Sequence, residues 1–391
     1  MCEYLHHALR ADPRDRRLLE GHEPMPETSP ATPLPLTPGD RVHDFLLPDP
    51  CGIVRSFYDR TRGHPIVVAA IAELGTSGAR ASVQALERAF SAADSVVDCF
   101  IVTRDPPQSA ARLMGELSLD ATVLCADEGY AAAALGIDWG NAERSMPILV
   151  LDPNQRVLAS FSNEDAAERA KRFVDGLELF TAPTRPRDTA PVLLVPRVFE
   201  PEFCDELISA FHARGHEASG VYSLIDGNPV HAVDASVKRR LDHYVRDDDL
   251  TNAIKRRIGA RLLPEIEKAF CFRVTRLEEF KITCYRSSDR GVFKPHRDNH
   301  SPQTLHRRFA LTLNLNDNFE GGELRFPEYG AHLYRPRRGE AIVFSCSLLH
   351  EALEVDHGDR YVLVAFMYDD AGAAQKRAMQ ERLAGDGERA R

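Results

Sequence analysis

Two histidines and a carboxylate offer the most specific chemistry in this chain. His296 and Asp298 stand two residues apart in His296-Arg297-Asp298, and on extended backbone that spacing puts both side chains on one side. So short a unit arises by chance, and a second exists at His357-Gly358-Asp359. Chain order separates them: His350 follows Asp298 within a strand-rich run that starts at Glu340, whereas no histidine follows Asp359. Two imidazoles and one carboxylate form the facial set that holds Fe(II) from one side and leaves positions open for substrate and dioxygen. His296, Asp298 and His350 are therefore the candidate ligands. His300 and His306 fall in a polar, arginine-rich loop and His357 in a turn, and all three are expected to be solvated.

An open iron site also needs an anchor for the carboxylate of a co-substrate. Arg360 lies shortly beyond His350 and begins the apolar run Arg360-Tyr-Val-Leu-Val-Ala-Phe366, where a fixed bidentate cation can reach into the fold. Tyr285, on a predicted neighbouring strand, can add a hydroxyl hydrogen bond to the same carboxylate. Thr312 and Asn314 share one face of a further strand and are candidates for lining the pocket. The eight cysteines (Cys2, Cys51, Cys99, Cys125, Cys204, Cys271, Cys284 and Cys346) show no CxxC and no zinc-like pairing, so reduced, mostly buried thiols are expected.

These side chains need elements to hold them. A chain of 391 residues exceeds the usual size of one hydrophobic core. With 43% hydrophobic and 28% charged residues it is globular, not disordered. Pro24, Pro26, Pro30, Pro33, Pro35 and Pro38 mark a leader, and a second Pro-rich break spans 181–191. The expected divisions are a flexible leader (1–36), a first domain (37–182), a linker (183–190), a second domain (191–370) and a charged tail (371–391) that forms a surface helix or frays. In the first domain, apolar runs at 66–72, 96–103, 121–125, 147–152 and 156–161 alternate with helical spacing at 79–92, 108–117, 130–135 and 164–179. That order predicts a layered α/β domain with a central sheet. The second domain opens with 192–199, a helix over 202–214 and a long helical stretch over 248–269. It then turns to short strands at 277–285, 308–315, 322–327, 331–334, 340–345 and 360–368. This predicts an α+β domain whose core is an all-β sandwich or jelly roll with helices outside it.

A formal charge of -10 argues against a protein that coats nucleic acid non-specifically. The basic runs Lys238-Arg239-Arg240 and Lys255-Arg256-Arg257 are expected to be solvated helix faces. No run of about 18 apolar residues occurs, and the first residues lack a basic segment followed by an apolar one. A cytoplasmic protein without a membrane span is the expectation.

The blocks of the second half carry a specific resemblance. Tyr285-Arg-Ser-Ser-Asp-Arg-Gly-Val-Phe-Lys-Pro-His296-Arg-Asp298 is followed in order by Leu311-Thr-Leu-Asn-Leu-Asn316, Phe319-Glu-Gly-Gly-Glu-Leu-Arg-Phe326, Gly339-Glu-Ala-Ile-Val-Phe344, His350 and Gly358-Asp-Arg-Tyr361. Over about residues 191 to 370 this resembles the prolyl 4-hydroxylase-type branch of the 2-oxoglutarate/Fe(II) dioxygenases. The resemblance implies a double-stranded β-helix, iron on His296, Asp298 and His350, and 2-oxoglutarate on Arg360 and Tyr285. It also implies decarboxylation of 2-oxoglutarate to succinate coupled to oxidation of a substrate, with L-ascorbate as the reductant. Arg360 stands where the collagen-modifying members carry Lys, which makes the chain more similar to bacterial and oxygen-sensing members.

The first half, through Gly39-Asp-Arg-Val-His-Asp-Phe-Leu-Leu-Pro48, Asp49-Pro-Cys-Gly52 and Met146-Pro147, resembles a peroxiredoxin or thioredoxin-fold domain over roughly residues 37 to 182. That family starts a helix with a threonine and a reactive cysteine, whose thiol the helix dipole acidifies. Here Gly75-Thr76-Ser77-Gly78-Ala79-Arg80 retains Thr76 but holds Ala79 in place of the cysteine. The resemblance thus implies a degenerate redox domain serving as scaffold, substrate dock or homodimer interface, with Pro147 as its cis-proline. The substrate stays open between a prolyl residue, another amino-acid side chain and a small metabolite. Two other readings stay open: a redox or interaction protein in which the first domain carries the function and the second is a sensor or scaffold, and a metal-binding domain without oxygenase activity. Metal-free protein is expected to reduce peroxide with thiol no faster than its Cys51→Ser/Cys99→Ser/Cys125→Ser variant; a rate lost in that variant would make the first domain a working peroxidase.

Overall fold

The structure is a computed structural model and describes residues 35–389, apart from 62, 91–96, 127–129, 140–145, 164, 178–188 and 226–227. The expected leader and linker lie almost wholly outside the described residues.

In the first half, Ile66–Ala70 is buried at every position, as a strand must be when both faces of its sheet are covered. It is the middle strand of five, in the order Thr122–Cys125, Asp98–Thr103, Ile66–Ala70, Ile148–Leu151, Val157–Phe161. The first three run parallel, and Ile148–Leu151 is antiparallel to both its neighbours. One face packs on Phe45, Phe57 and Trp139. The other packs on the helices Ser77–Phe90, Pro107–Leu117 and Ala166–Asp175 through Val83, Leu86, Leu113 and Val174. This is the expected layered α/β arrangement. The peptide bond before Pro147 is trans, contrary to expectation; Pro147 simply continues the ladder, its carbonyl accepting from the Ala70 N–H at 3.0 Å.

The second half is built on two antiparallel sheets. The larger runs Leu193–Val195, Ala341–Ser345, Phe309–Asn314, Asp359–Tyr368, Lys281–Arg286, Leu241–Tyr244, Glu217–Ala218, with Arg276–Leu277 also paired to Asp359–Tyr368. The smaller runs Lys238–Arg239, Val292–His296, His350–Ala352, Leu324–Arg325, Leu333–Tyr334. The long strand Asp359–Tyr368 shows why the layers form. Its Leu363, Ala365 and Met367 turn toward the helices Pro201–Ala213, Asp248–Arg261 and Leu263–Phe270. Its Val362, Val364 and Phe366 turn the opposite way, onto Leu324 and Ala352 of the smaller sheet.

Two of these expectations change. The single helix over 248–269 is two helices broken at Leu262, because Pro264 has no N–H to continue the turn. Lys238-Arg239-Arg240 is not a helix face: Lys238 and Arg239 pair with Phe293 and Val292 in a strand, and Lys238 and Arg240 are buried. The short polar strands between 217 and 244 lacked the alternation that marks a half-buried strand. The tail forms the helix Asp370–Arg389.

A buried polar seam joins the halves. The Arg41 guanidinium donates to both oxygens of Glu265, at 2.7 and 2.9 Å, and Asn154 donates to the same carboxylate at 2.6 Å. Nearby, Arg261 donates to Asp40 at 2.8 Å and to the Val198 carbonyl at 3.1 Å, and Arg197 reaches Asp152 at 3.0 Å. Gly39 (φ +95°) is required here, since a Cβ would stand 2.2 Å from the Arg197 carbonyl oxygen. Breaking one member of a buried ion pair costs about 3–5 kcal/mol. Glu265→Ala should therefore lower the unfolding free energy by that amount, and an unchanged midpoint in urea titration would show that the seam is not a stabilising contact.

Candidate metal centre

Strand pairing assembles the three candidate ligands. Val292–His296 runs antiparallel to His350–Ala352 with His296 opposite His350, their ring centroids 4.2 Å apart. Just past the strand, the Asp298 N–H donates to the Cys346 carbonyl at 3.0 Å, which turns its carboxylate between the imidazoles. Asp298 Oδ1 lies 3.5 Å from His296 Nε2, and Oδ2 lies 3.3 Å from His350 Nε2. One ligand atom from each residue lies within 4.8 Å of the others. Nδ1 of His296 meets the Lys294 carbonyl at 2.8 Å and Nδ1 of His350 meets that of Leu348 at 3.0 Å. A carbonyl only accepts, so each Nδ1 carries the proton and each Nε2 presents a lone pair. Phe293 stacks on His296 at 3.4 Å and Phe344 packs against His350 at 4.6 Å.

Burial pushes the Asp298 carboxyl up, but His350 and His296 outweigh it and hold it well below the usual carboxylate range. Burial holds the His296 imidazolium down. Burial opposes protonation of His350 as well, yet the Asp298 charge overrides it and raises that group. Two imidazole lone pairs and an ionised carboxylate on one side suit a divalent iron.

The same cavity is walled by Tyr285, Thr312 and Arg360. Arg360 is buried, directly across the strand pair from Tyr285. Its Nε and Nη2 donate to Asn314 Oδ1 at 3.3 and 3.1 Å, and no ion pair to it is found among the described residues. Burial pushes its guanidinium down to about 10. Asn314 therefore braces the arginine instead of lining the pocket. Gly322 (φ +69°) makes the room: a Cβ there would stand 2.8 Å from Val355 Cγ2 and 3.2 Å from Arg360 Cδ. The Tyr285 hydroxyl accepts from Arg240 at 3.1 Å.

Arg240 was missed in the sequence. A second cavity, of about 410 Å³, adjoins the first and shares Arg240, Phe293, His296, Asp298 and Phe366 with it. Arg240 Nε lies 2.9 Å from Asp242 Oδ1. Lys238 and Lys281 also line this cavity; alternation gave the signal for Lys281, which has the same parity as Tyr285 in its strand. His306 is not solvated as expected. It is buried with Nε2 2.6 Å from Glu278, whose other oxygen accepts from Arg307 at 2.8 Å. His300 and His357 are exposed.

In the first half, the Thr76 hydroxyl accepts from the Ala79 N–H at 3.2 Å at the start of Ser77–Phe90, so no thiol stands at that helix start. Burial pushes Cys99 up to about 12 and Cys125 up to about 11, which removes them as nucleophiles near neutral pH. Cys51 is exposed.

Residues 280–368 match the 2OG-Fe(II) oxygenase superfamily. Procollagen-lysine,2-oxoglutarate 5-dioxygenase 2 of Homo sapiens is 25% identical over 184 residues, which is 44% of this chain and 22% of that protein. The chain thus spans about a fifth of that relative's length. A PKHD-type hydroxylase of Shewanella sp. (strain ANA-3) is 28% identical over 181 residues, 44% of this chain and 75% of that one. Among solved structures, a Pseudomonas putida prolyl-4-hydroxylase (16% identical, TM-score 0.36) covers 46% of this chain and 94% of its own. Peroxidoxin BcpB from Mycobacterium tuberculosis (22% identical, TM-score 0.33) covers 37% of this chain and 99% of its own.

His296→Ala and His350→Ala should each abolish stoichiometric Fe(II) binding, measured by anaerobic titration, while circular dichroism stays that of the parent protein. Wild-type iron affinity in either variant would dissolve the triad.

Proposed function

We propose that this protein is an Fe(II)- and 2-oxoglutarate-dependent dioxygenase of the prolyl 4-hydroxylase type. Its sandwich is a double-stranded β-helix, and its substrate is a protein side chain or a small molecule. The observation that carries this reading is the facial set of His296, Asp298 and His350 opening onto a cavity that also contains Arg360, a buried cation that donates to an amide oxygen and forms no ion pair among the described residues. When bound, iron with 2-oxoglutarate supplies dioxygen activation, coupled to decarboxylation of the oxo acid to succinate.

The chain's own residues do the positioning. The two Nε2 atoms and the Asp298 carboxylate hold the metal from one side, their directions fixed by the Lys294, Leu348 and Cys346 carbonyls. Arg360 takes the distal carboxylate of 2-oxoglutarate, oriented by Asn314, and the Tyr285 hydroxyl donates to the same group while accepting from Arg240. Thr312 offers a hydroxyl on the cavity wall. Phe293 and Phe344 shield the centre from water, which strengthens every charged contact inside. No protein base is required. L-ascorbate is the reductant that keeps the iron ferrous. The thioredoxin-like half acts as scaffold, client dock or homodimer interface. We place the protein in the cytoplasm, where the thiols found free in the fold stay reduced; among the described residues no helix is long and apolar enough to cross a membrane.

Removing the partner of a buried carboxylate costs about 2–5 kcal/mol. In an assay of succinate release, Arg360→Ala should raise the 2-oxoglutarate KM by about thirty-fold or more, with Fe(II) affinity unchanged. An unaltered KM would move the anchor elsewhere.

A further inference from the structure

The larger cavity beside the candidate metal centre has two lysines in its wall that pair with no carboxylate among the described residues. Lys238 is 7% exposed; its ammonium donates to the Gly220 carbonyl and lies 4.8 Å from the centre of the Phe293 ring. Lys281 has the Tyr244 and Phe366 rings at 5.8 and 5.5 Å. Among the described residues neither lysine forms an ion pair. The buried carboxylates of the wall are already engaged: Asp242 with Arg240 and Ser219, Glu278 with His306 and Arg307, and Asp298 with the two imidazoles.

Two such lysines, inside a cavity that shares His296 and Asp298 with the candidate metal site, suit an anion brought in by the molecule to be oxidised, which draws both into their ammonium form. We propose that the cavity binds the primary substrate through a free α-carboxylate bridged by Lys238 and Lys281, so that the substrate is an amino acid or the C-terminal end of a short peptide. This rests on the dioxygenase reading above and deepens it.

Three further features fit. Burial, with Arg240 and Lys281 alongside, pushes the Lys238 ammonium down to about 6, and burial with Arg240 pushes Lys281 down to about 8; an arriving carboxylate relieves both. The volume of about 410 Å³ matches an amino acid or short peptide. Glu217, exposed at the rim of the same cavity, suits the α-ammonium that accompanies such a carboxylate.

The test uses full-length protein loaded with Mn(II) and 2-oxoglutarate. Calorimetric titrations compare the common L-amino acids and dialanine with their C-terminal amides, and with inorganic phosphate. At least one acid should bind, its amide about tenfold or more weaker. Lys238→Met and Lys281→Met should each weaken that acid by about tenfold or more while retaining Mn(II) and 2-oxoglutarate binding. Preference for free amino acids or for dialanine tells the two sources apart. The inference is overturned if amides bind as well as acids, if phosphate outbinds every acid, or if no acid binds although Mn(II) and 2-oxoglutarate do. Failure of Mn(II) and 2-oxoglutarate themselves to bind would instead remove the dioxygenase reading, and this inference with it.

Discussion

A guanidinium sealed inside an apolar sandwich constrains everything around it, and Arg360 is that group. Burying a cation without a countercharge is costly, so the fold must supply an acceptor, space and a fixed direction. The acceptor is Asn314, from the adjacent strand of the larger sheet. The space comes from Gly322, whose positive φ lets the loop of the Gly-Gly pair pass close to the arginine stem. The Tyr285 ring, directly across the strand pair, lies 5.6 Å from the guanidinium carbon. Each of these residues looks ordinary alone. Together they keep a charge ready in a place water can hardly reach, and the candidate ligands close the same cavity from the smaller sheet.

The two sheets divide the work. The larger, backed by helices and packed through Leu363, Ala365 and Met367, supplies a stiff wall and the buried Arg360. The smaller supplies the imidazoles from strands of three to five residues, which need packing from Phe293, Phe326 and Phe344 to stay in register. A site at the junction of two sheets holds its geometry only while both remain packed. Large-to-small changes at Phe344 therefore act on ligand geometry as well as on stability.

Much of this was legible in the sequence because the relevant signals are local. His296-x-Asp298 fixes two side chains on one side by backbone geometry alone, and alternation within Asp359–Tyr368 separates the face that carries Arg360 from the face under the helices. The apolar runs of the first half gave its central sheet for the same reason. What stayed hidden depends on distant pairing. Lys238 and Arg240 read as solvated charge because nothing local says that Val292–His296 will lie beside them. His306 read as a loop histidine because its partner, Glu278, is remote in the chain. The break at Leu262 is marked locally by Pro264, but the apolar spacing on both sides of it continues as if through one helix.

The seam between the halves bears on how the chain is made. Arg41 and Arg156 are synthesised well before Glu265, and in the finished protein both are buried, with Arg156 Nε 4.0 Å from that carboxylate and its Nη1 lacking any partner. In N-to-C synthesis the first half can close its own sheet first, with Arg156 held on the Gly39 carbonyl and Arg41 on Tyr58 and Gln155. Only when the helix Leu263–Phe270 emerges and docks does their charge find its carboxylate. In chain order the carboxylate that Arg41 and Arg156 share comes last, so the burial of both arginines is completed by the half that bears the candidate metal ligands.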